Sequence, residues 1–168
     1  VRYEKDRPGE LVHMDVKKIG RIPDGGGWRA HGREMGSTSE RKKTKVGYDY
    51  VHSLVDDHSR LAYVEKLSDE RGETATAFLR RAVRWFRRQG IRTERVMTDN
   101  GSCYRAHAFA EACGELRVRH LRTRPYTPRT NGKAERFIQT LLREWAYARP
   151  YRTSNQRARR LEPWLRYY

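Results

Sequence analysis

Glu94-Arg95-Val96-Met97-Thr98-Asp99-Asn100-Gly101 is the stretch on which the fold turns. Val96 and Met97 make a short strand over 94–98, which delivers the Asp99 carboxylate at its C-terminal end, directly before the Asn-Gly pair. Upstream, residues 74–89 show helical spacing: Ala75, Phe78, Leu79, Ala82 and Phe86 share a stripe, Arg80, Arg84, Arg87 and Arg88 lie mostly off it, and Gly90 ends it. Downstream, a helix over 107–116 and a strand over 118–121 are expected. Further out, 48–55 and 61–67 alternate like strands joined by the tight turn Asp56-Asp57-His58-Ser59-Arg60. Residues 10–19 read as a strand with Val12, Met14 and Val16 on one face and His13 and Asp15 on the other. After 122–130, a loop holding Pro125 and Pro128, Asn131 suits an N-cap. Phe137, Ile138, Leu141, Leu142 and Trp145 then predict a helix over 132–148. Three strands, a helix, a strand, a helix, a strand and a helix predict an α/β domain with a mixed sheet and helices on its faces.

Two segments resist this reading. Residues 20–47 contain Gly25-Gly26-Gly27, Trp28 and a basic run over 41–45, with neither helical nor strand periodicity. A loop of that length is either a DNA-contacting arm or a solvated insertion. The basic tail 149–168 is expected to be partly helical and interrupted at Pro150 and Pro163.

At 168 residues and 19.9 kDa the chain has the size of one domain, with 36% hydrophobic residues to build a core. No apolar stretch approaches the roughly 18 residues of a membrane span, and residues 1–10 are charged rather than signal-like. These features predict a soluble intracellular protein. The lack of an initiator Met predicts that Val1 is not the natural start and that the chain is an excised domain. The net charge of +16 predicts a polyanionic partner, since each neutralised phosphate releases counterions. Eight lysines leave 29 arginines, which favours bidentate phosphate contacts. Cys103 and Cys113 make no disulfide framework and are expected as buried thiols in a reducing compartment. With His107 and His120 they fit no compact zinc spacing. Gly25-Gly26-Gly27 lacks the Gly-Lys-Ser/Thr continuation of a phosphate loop, so no nucleotide cofactor is indicated.

Three carboxylates occupy unusual places: Asp15 within an apolar strand, Asp99 at a strand end, and Glu135 at the start of an amphipathic helix, with 35 residues between the last two. Asp56 and Asp57 are covered by the hairpin turn, and Glu144 lies too far along its helix to join Glu135. Around the three acids the chain resembles the DDE transposases and retroviral integrases, in particular bacterial insertion-sequence transposases with an integrase-type core. The resemblance is carried by His13-Met14-Asp15, Asp57-His58-Ser59-Arg60, Thr98-Asp99-Asn100-Gly101-Ser102 and Tyr126-Thr127-Pro128-Arg129-Thr130-Asn131-Gly132-Lys133-Ala134-Glu135-Arg136.

The resemblance implies a ribonuclease H-like fold with a central mixed five-stranded sheet flanked by helices. It implies a core over 11–148, with 20–47 as an insertion, between an N-terminal extension 1–10 and the tail 149–168. It further implies that Asp15, Asp99 and Glu135 are catalytic and hold two Mg²⁺ ions, or Mn²⁺ in their place, when DNA is bound, Asp15 bridging both. The implied reaction is hydrolysis at transposon DNA ends followed by attack of the freed 3′-OH on target DNA. Arg124, Tyr126, Arg129, Asn131, Lys133 and Arg136 are implied DNA contacts, the active complex a homo-oligomer, and the setting the bacterial cytoplasm at the nucleoid. Such transposases also carry an N-terminal helix-turn-helix and continue past this C-terminus, so the fragment alone is expected to be weakly active or unable to choose DNA ends. Two alternatives stay open: a ribonuclease H-like nuclease that cuts without joining, and a non-catalytic DNA-binding module.

Overall fold

The computed structural model describes residues 5–32, 46–123 and 132–168. The chain divides into two compact units, Val1–Lys17 with Tyr50–Phe137 and Lys18–Asp49 with Ile138–Tyr168. Its five strands are β1 (Val12–Gly20), β2 (Tyr48–Asp56), β3 (Ala62–Leu67), β4 (Arg95–Thr98) and β5 (Arg119–Arg122). They form one sheet in the order β3-β2-β1-β4-β5. β2 and β3 are antiparallel while β1, β4 and β5 run parallel, so the sheet is mixed, as the element order predicts.

In the first unit the core follows from two periodicities. Val12 and Met14 alternate inward from β1, and Val96 does so from β4. Helix α2 (Gly72–Arg88) turns Ala75, Phe78, Leu79, Ala82, Val83 and Phe86 onto the same cluster. Truncating one such buried Phe typically costs about 3–5 kcal/mol. The helix's charged side is tied down too: Arg81 grips Glu65 of β3 with both Nε and Nη2 at 2.7–2.8 Å, and Arg80 pairs with Glu115. Helix α4 (His107–Leu116) packs on α2 and buries Phe109 and Cys113. Cys103 and Cys113 are both buried thiols, pushed up to about 11 by burial.

Three local expectations need correction, and one short helix is additional. A short helix, α1 (Trp28–His31), interrupts the segment 20–47, and another, α3 (Ser102–Arg105), follows Gly101. The last core helix is α-helical only over Gly132–Leu141 (α5); Leu142–Ala146 widens into a π-turn, where the Tyr147 N–H reaches back five residues to the Leu142 carbonyl at 2.9 Å. In the tail, α6 (Ser154–Arg159) and α7 (Leu161–Tyr167) meet at Arg160, and Pro163 sits inside α7 instead of breaking it. A first helical turn has no internal acceptor for its N–H groups, so a proline there loses nothing. Among the described residues no helix is long and apolar enough to cross a membrane.

The second unit is built on a buried ion pair. Arg157, only 2% exposed, donates Nη2 to Asp49 Oδ2 at 3.1 Å and to the Gly20 carbonyl at 2.8 Å, while Arg21 holds the other Asp49 oxygen at 3.2 Å. The buried Trp145 indole donates to the Arg157 carbonyl at 2.8 Å, and the Tyr151 hydroxyl donates to the Trp145 carbonyl at 2.8 Å. Removing one partner of such a pair strands a buried charge. Arg157→Ala is expected to destabilise the protein by about 3 kcal/mol or more, read as a shift of the urea unfolding midpoint. A loss under about 1 kcal/mol would contradict this role.

Candidate active site

Strand pairing brings the first two acids together. β1 and β4 run parallel with Val12 opposite Val96 and His13 opposite Met97. Carried on by two residues, that register leads toward Asp15 on β1 and Asp99, the residue just past the end of β4. Asp99 follows the last residue of β4 and is exposed, whereas Asp15, inside β1, is half-buried. The Val16 N–H donates to Asp15 Oδ1 at 2.8 Å, and the Gly101 N–H donates to Asp99 Oδ1, also at 2.8 Å. A Cβ at position 101 would lie 2.9 Å from that oxygen, so only glycine leaves Asp99 this orientation.

Burial pushes the Asp15 carboxyl up from 3.8 to about 6; the neighbouring charges of Asp99 and Glu135 push the same way, against the Val16 hydrogen bond and Lys17. Two carboxylates distant in sequence therefore act on Asp15 through space. Behind them the Tyr104 hydroxyl is buried without a hydrogen-bond partner among the described residues; burial, Cys103, Asp15 and Asp99 raise it well above the usual tyrosine range.

Glu135 is exposed in the first turn of α5, and that turn is anchored by its neighbour. Lys133 Nζ donates to Asp57 Oδ2 at 2.6 Å and to the Asp57 carbonyl at 3.1 Å. Asp57 also takes the His13 ring at 2.8 Å through Oδ1 and the Lys5 N–H at 2.9 Å through Oδ2. Burial works against the charge on Asp57, yet the hydrogen bonds from Lys133, His13 and Lys5 hold it below the usual carboxylate range. The hairpin explanation thus holds for Asp56, which accepts from the Gly9 N–H and from Ser59, and fails for Asp57, whose partners lie far from the turn. A buried carboxylate beside a turn looks like any turn aspartate in sequence, so spacing could not single it out. Of the expected DNA contacts, Lys133 spends its ammonium on Asp57, Arg136 is exposed, and Arg124, Tyr126, Arg129 and Asn131 lie outside the described residues.

Carboxylate oxygen is the donor type that hard divalent cations prefer. Among the described residues no group of three or more His, Cys, Asp or Glu side chains is close enough to hold a single metal ion. Any ion here would take one or two carboxylates and complete its shell with water or phosphate oxygens, the usual habit of Mg²⁺.

A family model described as Integrase core domain matches residues 5–128, and a second of the same description matches residues 116–168. Over 96 residues the chain is 32% identical to the Retrovirus-related Pol polyprotein from transposon TNT 1-94 of Nicotiana tabacum, covering 57% of this chain and 7% of that one. Over 50 residues it is 42% identical to the uncharacterized protein K02A2.6 of Caenorhabditis elegans, covering 30% of this chain and 4% of that one. The chain thus spans less than a tenth of the length of these curated relatives. The HTLV-2 integrase catalytic core domain in complex with magnesium superposes with a TM-score of 0.58 at 17% identity, covering 91% of this chain and 83% of that one. The BIV integrase catalytic core gives 0.54 at 17%, covering 88% and 78%. The simian T-cell lymphotropic virus intasome in complex with PP2A regulatory subunit B56 gamma gives 0.64 at 22%, covering 87% and 42%. At these identities the likeness speaks for the fold: the mixed five-stranded sheet flanked by helices is ribonuclease H-like.

The raised Asp15 fixes the sign of a stability test. A carboxyl that ionises near 6 when folded and near 3.8 when unfolded keeps its proton longer in the native state, so the stability it lends is full below about pH 4 and is lost as pH rises through 6. Asp15→Asn is therefore expected to stabilise the fold at pH 7.5 by about 1–3 kcal/mol and to gain nothing at pH 4, measured by urea unfolding at both. A gain of the same size at the two pH values would contradict the electrostatic account.

Proposed function

Because the chain belongs to the integrase core domain family, we propose that it is the catalytic core of a transposase: a polynucleotidyl transferase that hydrolyses a phosphodiester at an element's DNA ends and joins the freed 3′-OH to target DNA. What supports this reading is the bearing of Asp99 and Glu135 on Asp15: the β1–β4 register, carried on by two residues, leads Asp15 and Asp99 to one level, and the charges of Asp99 and Glu135 both act on Asp15. A charged residue set into a strand at that cost to ionisation is a functional-site signal.

The residues fit a hard divalent cation, because all three donors are carboxylates and mutual repulsion at Asp15 is what a cation relieves. Asp15 with Asp99 would hold one ion and Asp15 with Glu135 the other, so neither ion needs three acids. When bound, Mg²⁺ or Mn²⁺ supplies the Lewis acidity that stabilises charge on the attacking and leaving oxygens. The protein's own part is orientation: the Gly101 N–H fixes the Asp99 carboxylate, the Val16 N–H fixes Asp15, and the Lys133–Asp57–His13 bonds fix the turn that presents Glu135. The net charge of +16 supports DNA as substrate. The likeness to an intasome and to a dimeric, magnesium-bound integrase core supports DNA, self-association and magnesium as partners. The working location would be the bacterial nucleoid.

Asp99→Asn is expected to lower Mg²⁺-dependent joining of a transposon-end oligonucleotide by at least about 100-fold, while DNA affinity stays within about threefold. In the unaltered protein the rate is expected to fall as pH drops through 6, where Asp15 takes up a proton, and added Mg²⁺ should partly restore it. Cutting without joining would favour the nuclease reading. DNA binding with neither, in Mg²⁺ or Mn²⁺, would overturn the catalytic one.

A further inference from the structure

The second unit holds a cavity of about 330 Å³ that the acids do not use. It is lined by Trp28, Arg29, Tyr147, Arg149, Tyr151 and Arg21 among others, and none of the described lining residues is acidic. Arg21 and the buried Arg157 spend their charge on Asp49. Arg29 and Arg149 are held against rings instead: the Arg29 guanidinium lies 4.6 Å from the Tyr147 ring centre and 5.1 Å from that of Trp28, and Arg149 lies 5.9 Å from that of Tyr151. Arg29 also donates to the Tyr147 carbonyl at 3.2 Å. Trp28 and Tyr147 remain 51% and 38% exposed, a large aromatic area to leave in water.

The wall that carries Trp28 is held by its own turn contacts. Gly26 adopts φ +105°, where a Cβ would meet that of Ala30 at 2.7 Å; its N–H bonds the Pro23 carbonyl at 2.9 Å, and the His31 ring lies 2.7 Å from the Gly25 carbonyl. The opposite wall rests on the buried bonds among Trp145, Tyr151 and Arg157. Partly exposed aromatic side chains layered with guanidinium groups suit a flat, anionic ligand, whose ring joins the stacked layer and whose phosphate takes paired N–H groups. The volume falls at the lower end of the roughly 300–1,000 Å³ of small-molecule sites, enough for one nucleotide. A base locked in a duplex stack offers no face to such a cavity.

We infer that this cavity takes one unstacked nucleotide of a DNA strand, its base against Trp28 and Tyr147 and its phosphate on Arg29 and Arg149. The inference rests on the proposed function only in taking DNA as the polymer; it needs no catalysis. The test is fluorescence anisotropy with the full chain on three probes: a duplex with a short single-stranded overhang, the same duplex blunt-ended, and free thymidine monophosphate as competitor. The overhang is expected to bind about tenfold tighter than the blunt end. Trp28→Ala and Arg29→Met should each erase that preference while leaving blunt-end affinity and the unfolding midpoint unchanged, and Trp28→Phe should keep most of it. Equal affinity for the two duplexes, or a preference that survives Trp28→Ala, overturns the inference. So does displacement of the overhang by micromolar free nucleotide, which assigns the cavity to a mononucleotide. Joining is measured separately on the same preparations: joining without overhang preference faults the cavity alone, and overhang preference without joining faults the proposed function alone.

Discussion

Two carboxylates carried at one level by neighbouring parallel strands repel each other, and a fold that keeps them there must gain something from the arrangement. In this protein the β1–β4 register leads toward Asp15 and Asp99, and the charges of Asp99 and of Glu135, from α5, both act on Asp15. Asp15 registers the strain: half out of water, with two like charges near, its carboxyl holds a proton up to about pH 6. Hydrophobic contacts of the same strands supply the force that keeps it in place. Val12, Met14 and Val96 are fully buried against α2, so moving the acids apart means unpicking the core.

The rest of the site follows from restraints on the other two acids. Gly101 fixes Asp99 through one backbone hydrogen bond and through the lack of a side chain that would collide with it. Lys133 reaches Asp57, which is already held by His13 and the Lys5 backbone, so the first turn of α5 is fastened two residues before Glu135. His13 and Asp15 share a face of β1, which makes one strand contribute both to the anchor and to the acid site. The second unit has its own organising charge pair in Arg157 and Asp49, and its aromatic and arginine-lined cavity is a separate chemical surface.

Much of this was legible in the residues, for identifiable reasons. The stripe from Ala75 to Phe86 repeats at helical spacing without interruption, and the structure forms its helix over Gly72–Arg88. Val96 and Met97 mark a strand because Asn100-Gly101 stops it at once, and β4 ends at Thr98. Asp15, Asp99 and Glu135 stand out as charges where apolar periodicity expects none. What stayed illegible depends on contacts between distant segments. Asp57 looks like a turn residue until Lys133, 76 positions away, meets it. The π-turn after Leu141 leaves no mark, because Phe137, Leu141 and Trp145 keep α-helical spacing in sequence. Pro163 reads as a helix breaker only while the start of α7 is unknown. Tyr147 lies 118 positions from Arg29 in the chain, and only folding shows that it borders one cavity with Trp28.

The claim that most of this account rests on is that three acids share one cation-binding centre. Anomalous diffraction from crystals soaked in Mn²⁺ with a DNA end bound reads it directly. The account predicts two peaks, one between the carboxylates of Asp15 and Asp99 and one between those of Asp15 and Glu135. Peaks elsewhere, or a centre that leaves Asp15 without a metal contact, would contradict it.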